Sequence, residues 1–201
     1  MAGIGPGNED FITPAALKRI HSAQFLVGGR RALAQFAATQ QTTCAITGDL
    51  DATLQFIRDK ISIGDVTVMV SGDPGYYSLL DLLRKNFPPS MLEVIPSISA
   101  MQLAFARLAM PWHNATLLSF HGRQPARELL QYTADKVLGL LTDGEFNSAT
   151  ISAILLECGW AEDSTVTICA RLSYPDENIF TTTLSDAAQI EPVKHCVLIV
   201  R

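Results

Sequence analysis

No C-x-x-C pair occurs among the four cysteines, Cys44, Cys158, Cys169 and Cys196, and no histidine stands at ligand spacing from any of them. That spacing excludes a zinc-finger or thioredoxin-type motif and leaves the cysteines as small buried hydrophobes of a reducing compartment. Charged side chains are scarce as well, 17% of 201 residues against 48% hydrophobic, which is material for a folded core and not for a disordered chain. The formal net charge of −5 argues against a nucleic-acid surface spread over the molecule while leaving room for a local basic cleft. No apolar run approaches the ~20 residues of a membrane span and no basic-then-apolar leader opens the sequence, so a cytoplasmic protein is expected. Missing too are a G-x-S-x-G elbow, an H-E-x-x-H helix and any histidine pair at metal spacing, so no metal site is expected.

What is present is a set of small, polar or glycine-rich turns at the ends of short β-branched runs. The clearest is Val66–Val70, a buried strand by composition, which stops at Ser71-Gly72-Asp73-Pro74-Gly75. Two glycines flanking Asp-Pro leave the backbone of that turn open to a ligand, and Pro74 is placed to start a helix through Leu79 to Leu83. A ligand loop and an ordinary strand-to-helix turn both fit this stretch alone. A second glycine loop, Gly3-Ile-Gly-Pro-Gly7, opens the chain. It is not a dinucleotide fingerprint, because Pro6 removes an amide where that motif needs a donor. Nor does it run into a helix, since Thr13-Pro14 reads as the N-cap and first turn of a helix further on. Only Met1 and Ala2 stand before it, which is little for the strand that such a loop normally follows.

Strand and helix alternate over the first ~110 residues, including a strand at Met91–Ile95, the turn Pro96-Ser-Ile-Ser-Ala100 and a helix from Met101 to Met110. This is the pattern of a mostly parallel sheet with helices on both faces. Pro111-Trp-His-Asn114 breaks the pattern, giving an N-terminal α/β domain over 1–112 and a C-terminal domain over 113–201. The latter has strands near 116–120, 137–141, 165–169, 179–183 and 196–200, a helical stretch at 125–134 and a helix capped by Ser148, and reads as a mixed α+β sheet.

Strand-end turns at 3–7, 71–75, 96–100, 121–123, 142–144 and 170–171 together predict a composite pocket between the domains. His121, beside Gly122 and Arg123, is the one histidine placed for a direct role, against the alternative of a plain turn histidine. With Arg123 and Arg127 it makes the densest positive patch, suited to an acidic ligand or else the solvated start of a helix. The adjacent Arg30 and Arg31 admit the same two readings. Asp73, in a loop without an evident partner, reads as a turn-stabilising group more than as a general base.

Taken in order, these segments resemble the tetrapyrrole methylase family over nearly the whole chain. Gly3-x-Gly5-Pro6-Gly7 with Thr13 is similar to its G-x-G-P-G…T loop, and Ser71-Gly72-Asp73-Pro74 with Tyr76 is similar to its G-D-P loop. Pro96-Ser97-Ile98-Ser99-Ala100 is similar to its P-G-I-[ST]-[SA] turn, with Ser97 in place of the common glycine. The resemblance implies two α/β-type domains, generally in a homodimer, with S-adenosylmethionine bound in the cleft between them and S-adenosylhomocysteine as product. It implies a cofactor site lined by Pro6, Ser71, Gly72, Asp73, Tyr76, Ser99 and Ala100, with Leu141 or Thr142 and a residue near Ala170 from the second domain. Ser119-Phe-His-Gly-Arg123, the run 140–144 and Arg171-Leu-Ser-Tyr-Pro-Asp-Glu177 look most like the branch that methylates carbon 5 of a precorrin. The implied substrate is precorrin-7 or its cobalt form, anchored by Arg123, Arg127 and Arg30 or Arg31, with His121 as the base that takes a proton afterwards. The carbon-15 methylation and decarboxylation would fall to a separate protein. A sister methylase for another tetrapyrrole position and a non-catalytic tetrapyrrole carrier are the rival expectations.

Overall fold

The computed structural model describes residues 1–201, which form two compact units, Met1–Ser99 and Ala100–Arg201. In the first, strands β1 (Ala2–Gly3), β2 (Phe25–Gly28), β3 (Thr42–Ala45) and β4 (Val66–Val70) alternate with helices α1 (Pro14–Ser22), α2 (Arg30–Phe36), α3 (Leu50–Ile61) and α4 (Leu80–Asn86). The strands build an all-parallel sheet in the order β1-β4-β2-β3. Along β4, Met69 points to one face and joins Ile20, Leu26 and Phe36, while Val68 and Val70 point to the other and join Leu54, Ile57, Leu83 and Phe87. Both faces are thus covered by helices, as a parallel sheet requires.

The second unit holds helices α5 (Ala100–Arg107), α6 (Arg127–Leu130), α7 (Ser148–Glu157) and α8 (Leu184–Ala187) and strands β5 (Thr116–Ser119), β6 (Leu138–Leu141), β7 (Thr165–Ala170), β8 (Asn178–Thr183) and β9 (Cys196–Val200). Their order is β5-β6-β9-β7-β8, with β5 and β6 parallel and every other pairing antiparallel, the expected mixed sheet. One face packs Leu138, Leu140, Ile168 and Leu198 against Ile151 and Leu155 of α7 and Leu184 and Ala187 of α8. On β6, a Cβ at Gly139 would lie 2.6 Å from the Met101 sulfur and 3.0 Å from the Phe105 ring, so glycine lets α5 sit close on this strand. By this packing α5 lies in the second unit, whereas the sequence pattern placed it with the first.

Several elements differ from expectation for local reasons. The two-residue β1 suffices to seat the first glycine loop, because Ala2 and Gly3 pair with Met69 and Val70 of β4. Pro74 does not begin a helix: the Asp73 carboxylate captures the Gly75 amide at 2.7 Å, Tyr77 turns left-handed at φ 49°, and α4 starts only at Leu80. Instead of a strand at Met91–Ile95, Pro88-Pro89 start a 3-10 turn over Pro89–Met91, and Ile95 alone bridges to Ala2. The helix expected at 125–134 is the single turn α6, ended by Gln131 in extended conformation. The helix after Ala100 stops at Arg107, short of the left-handed Ala109. Asn147, not Ser148, caps α7, accepting from the amides of Ala149 and Thr150, both at 3.1 Å. Ser148 is buried instead, its hydroxyl accepting from the Val193 amide at 2.8 Å.

Candidate functional site

All strands of the first sheet run the same way, so the loops after β1 and β4 and the 96–99 turn emerge at one end. They converge on Gly3. A Cβ there would stand 2.7 Å from the Gly72 carbonyl oxygen, 2.7 Å from Ser97 Cβ and 2.8 Å from Pro74 Cδ, so no other residue admits this approach. Gly5 and Gly72 are both left-handed, at φ 72° and 67°, and the Gly72 amide donates to the Gly5 carbonyl at 2.8 Å. Asp73 ties the loops together with both carboxylate oxygens: Oδ1 accepts from Gly75, and Oδ2 from the Ser97 amide at 3.0 Å. Ser97, the departure from the family's glycine, in turn donates its hydroxyl to the Phe11 carbonyl at 3.3 Å.

Pro6, Ser71, Gly72, Asp73, Tyr76 and Ser99 therefore stand in loops at one end of one sheet. Ser71 is exposed and receives Arg31 Nη2 at 3.4 Å, so Arg31 is the α2 arginine that reaches this loop, while Arg30 is exposed at the first position of α2. Tyr76 stacks edge-on against Tyr77, ring centroids 4.8 Å apart. Its hydroxyl is enclosed without a hydrogen-bond partner, and burial, with Tyr77 beside it, pushes the phenol pKa up. Ser99 is buried at the end of the first unit, and Ala100 opens α5.

In the second sheet, β9 runs opposite to β5, β6 and β7, so the loops after those three strands gather where β9 begins. Leu141 ends β6. The Thr142 side chain is buried and fully engaged, donating to the Cys196 carbonyl at 2.9 Å and accepting from the Cys196 amide at 2.8 Å. Ala170 ends β7, buried between Asn178 and Cys196. His121 and Arg123 are exposed in the loop after β5. Arg127 is turned elsewhere: Nη2 donates to the Glu157 carbonyl at 2.9 Å, and the guanidinium stands 3.9 Å from the Glu157 carboxylate at the end of α7.

Two groups here were not singled out from sequence. Asp143 accepts from the Gly122 amide at 2.8 Å with Oδ2, and from Glu145 and Phe146 at 2.9 and 2.7 Å with Oδ1, joining the loop of His121 to the loop after β6. The Gly122 amide first, then Phe146, Glu145 and the nearby His121, hold its carboxyl below the usual range against a smaller opposing effect of desolvation. The signal was an aspartate beside glycine just past a strand. The other is the bidentate pair of Arg107 and Glu177, with Arg107 Nε 2.7 Å from Glu177 Oε1, seventy residues apart in sequence.

The donor set of the first unit suits a compact, phosphate-free nucleoside. Its loops offer glycine backbone, serine hydroxyls and the orphaned Tyr76 hydroxyl, and the first glycine loop runs into a 3-10 turn at Glu9–Phe11 whose Glu9 and Asp10 disfavour a phosphate there. Helix-covered sheets with open loops at the carboxyl ends of their strands define an α/β protein built around a small-molecule site. Residues 1–188 match the model of the Tetrapyrrole (Corrin/Porphyrin) Methylases, and the chain belongs to that family. It is 32% identical to the cobalt-precorrin-7 C(5)-methyltransferase of Salmonella typhimurium, over 79% of this chain and 78% of that one. It is 26% identical to the probable cobalt-precorrin-7 C(5)-methyltransferase of Methanocaldococcus jannaschii, over 94% and 90%. A precorrin-6Y C(5,15)-methyltransferase [decarboxylating] of a Sinorhizobium species is 27% identical over 85% of this chain but only 45% of its own length. The same fold is seen in the uroporphyrin-III C-methyltransferase of Thermus thermophilus in complex with S-adenosylhomocysteine, with TM-score 0.74 at 19% identity over 99% and 89% of the two chains.

Proposed function

We propose that this protein is an S-adenosylmethionine-dependent C-methyltransferase that methylates carbon 5 of cobalt-precorrin-7, or of precorrin-7, in cobalamin biosynthesis. The observation that carries it is the convergence on Gly3 of the family's glycine, G-D-P and P-x-I-S-A loops. The particular ring position is supported by the two C(5)-methyltransferases similar over most of their length.

S-adenosylmethionine, when bound, would supply a sulfonium methyl group for transfer to the nucleophilic ring carbon, with S-adenosylhomocysteine as the leaving product. The protein's task is alignment and exclusion of water. Pro6, Ser71, Gly72, Tyr76 and Ser99, with Ala100, hold the cofactor, and the Tyr76 hydroxyl gains the partner it lacks. Asp73 shapes the cradle from behind, since both its oxygens are already engaged. Arg123 pairs with a substrate carboxylate, and Arg31, with Arg30 beside it, adds positive charge near Ser71. Arg127 supports α7 instead. An imidazole nitrogen of His121 takes the proton released after methylation. The protein acts as a homodimer in the cytoplasm, a setting that suits four free thiols. A separate carbon-15 methylating and decarboxylating enzyme completes the chemistry that the C(5,15)-methyltransferase combines by name. No helix is long and apolar enough to cross a membrane.

Anaerobic incubation with cobalt-precorrin-7 and methyl-labelled S-adenosylmethionine tests the proposal. Label at carbon 5 of the product, located by NMR, is the expected result. Label at another ring carbon would indicate a sister methylase, and no transfer by protein that binds the tetrapyrrole would indicate a carrier.

A further inference from the structure

The loop 171–177, between β7 and β8, holds two non-glycine residues in the left-handed region, Arg171 at φ 53° and Ser173 at φ 72°. Such conformations persist only where surroundings enforce them, and they gather at functional sites. Here the enforcing group is Glu177. Its Oε2 accepts from the Ser173 amide at 2.6 Å, and its two oxygens receive Arg107 Nε at 2.7 Å and Nη2 at 3.3 Å. The Arg107 interaction first, then the Ser173 amide, lowers the Glu177 pKa against an opposing effect of desolvation. Arg107 is the last residue of α5, a helix packed on the sheet, so the clamp is anchored to a rigid element.

What the clamp presents is the Arg171 side chain. Its guanidinium lies over the Tyr174 ring, 4.2 Å from the centroid, and its Nε donates to Asp176 Oδ2 at 2.9 Å. Both terminal nitrogens remain without a protein partner, on a side chain that is 56% exposed. A planar fork fixed at Nε and stacked on one face is ordered for a carboxylate before the carboxylate arrives. The loop stands with those of His121, Arg123 and Asp143 at the end of the sheet where β9 begins.

We propose that Arg171 anchors a carboxylate of the tetrapyrrole substrate, and that Glu177, held by Arg107, is the positioning residue that keeps the loop in the conformation presenting it. The inference rests on the methylase reading and gives its substrate site a second arginine besides Arg123.

The test is fluorescence titration with uroporphyrin III, a carboxylate-rich tetrapyrrole, alongside calorimetry with S-adenosylhomocysteine. The variants are Arg171→Ala, Arg171→Lys, Glu177→Ala and the double variant Glu177→Ala with Ser173→Gly. Arg171→Ala should weaken porphyrin binding about tenfold, with partial recovery in Arg171→Lys and S-adenosylhomocysteine affinity unchanged. Glu177→Ala should weaken it similarly, and Ser173→Gly, which takes φ 72° without strain, should restore it. Wild-type porphyrin affinity in Arg171→Ala would overturn the anchor while leaving the methylase reading intact. Failure of Ser173→Gly to restore Glu177→Ala would overturn the positioning role. Wild-type protein that binds neither ligand would overturn both the inference and the reading beneath it.

Discussion

At Gly3, the absence of a single methyl group decides whether the loops after β1 and β4 and the 96–99 turn can meet. Gly3→Ala would drive Cβ into the Gly72 carbonyl oxygen, Ser97 and Pro74, all within 2.8 Å, and two of these neighbours are loop backbone or a proline ring that gives little. Overpacking of this kind destabilises by about 1–3 kcal/mol. Urea denaturation should show that loss, together with weakened S-adenosylhomocysteine binding, whereas Gly29→Ala, where a Cβ meets nothing within 4 Å, should change neither. Asp143 makes a pH-dependent contribution. Its folded carboxyl lies below the ordinary aspartate value of 3.8, so the stabilisation is present above that value and is lost as pH falls through the folded one. Urea midpoints recorded from about pH 6 downward should fall more steeply for wild type than for Asp143→Asn, and parallel curves would mean that the three amide bonds add nothing measurable. Residues such as Gly3 were legible because a glycine in an ordered motif has few other uses. Asp143 was not, since its role depends on amides of Gly122, which the fold brings in from another strand end.

Among the elements, β6 and β9 are joined at their ends by one hydroxyl. Thr142→Val keeps the shape but strips the acceptor from the buried Cys196 amide, and leaving that donor unpaired costs about 1–3 kcal/mol. Thr142→Ser should retain most of the stability, which thermal denaturation of the two variants would separate. The order of strands and helices was readable from β-branched runs and from caps such as Thr13, whose side chain accepts from the Ala16 amide as expected. Boundaries failed where a local hydrogen bond competed with propensity. Pro74 is a good first helical residue, yet Asp73 closes a turn onto Gly75 and delays α4 to Leu80. Arg127 looked like part of an anionic-ligand patch because it is near Arg123 in sequence, but its guanidinium reaches the end of α7. Only a structure could supply that partner.

For the whole molecule, the proposed methyltransferase would bind S-adenosylmethionine through the loops that converge on Gly3 and its tetrapyrrole through Arg123 and Arg171. Arg123→Ala should raise the KM for cobalt-precorrin-7 while leaving S-adenosylhomocysteine affinity nearly intact, and equal loss of both would make Arg123 structural. The long-range features, the parallel and mixed sheets and the converging loops, followed from strand-helix alternation and from the ordered motifs. The clamp of Arg107 and Glu177 did not, because nothing in either local sequence indicates the other. The most direct measurement is calorimetric titration of the purified protein with S-adenosylhomocysteine, with NAD and ATP as controls. Saturable binding of S-adenosylhomocysteine alone, in the micromolar range, is the predicted result. Folded protein that shows no heat with S-adenosylhomocysteine, or that takes NAD or ATP instead, would contradict the account.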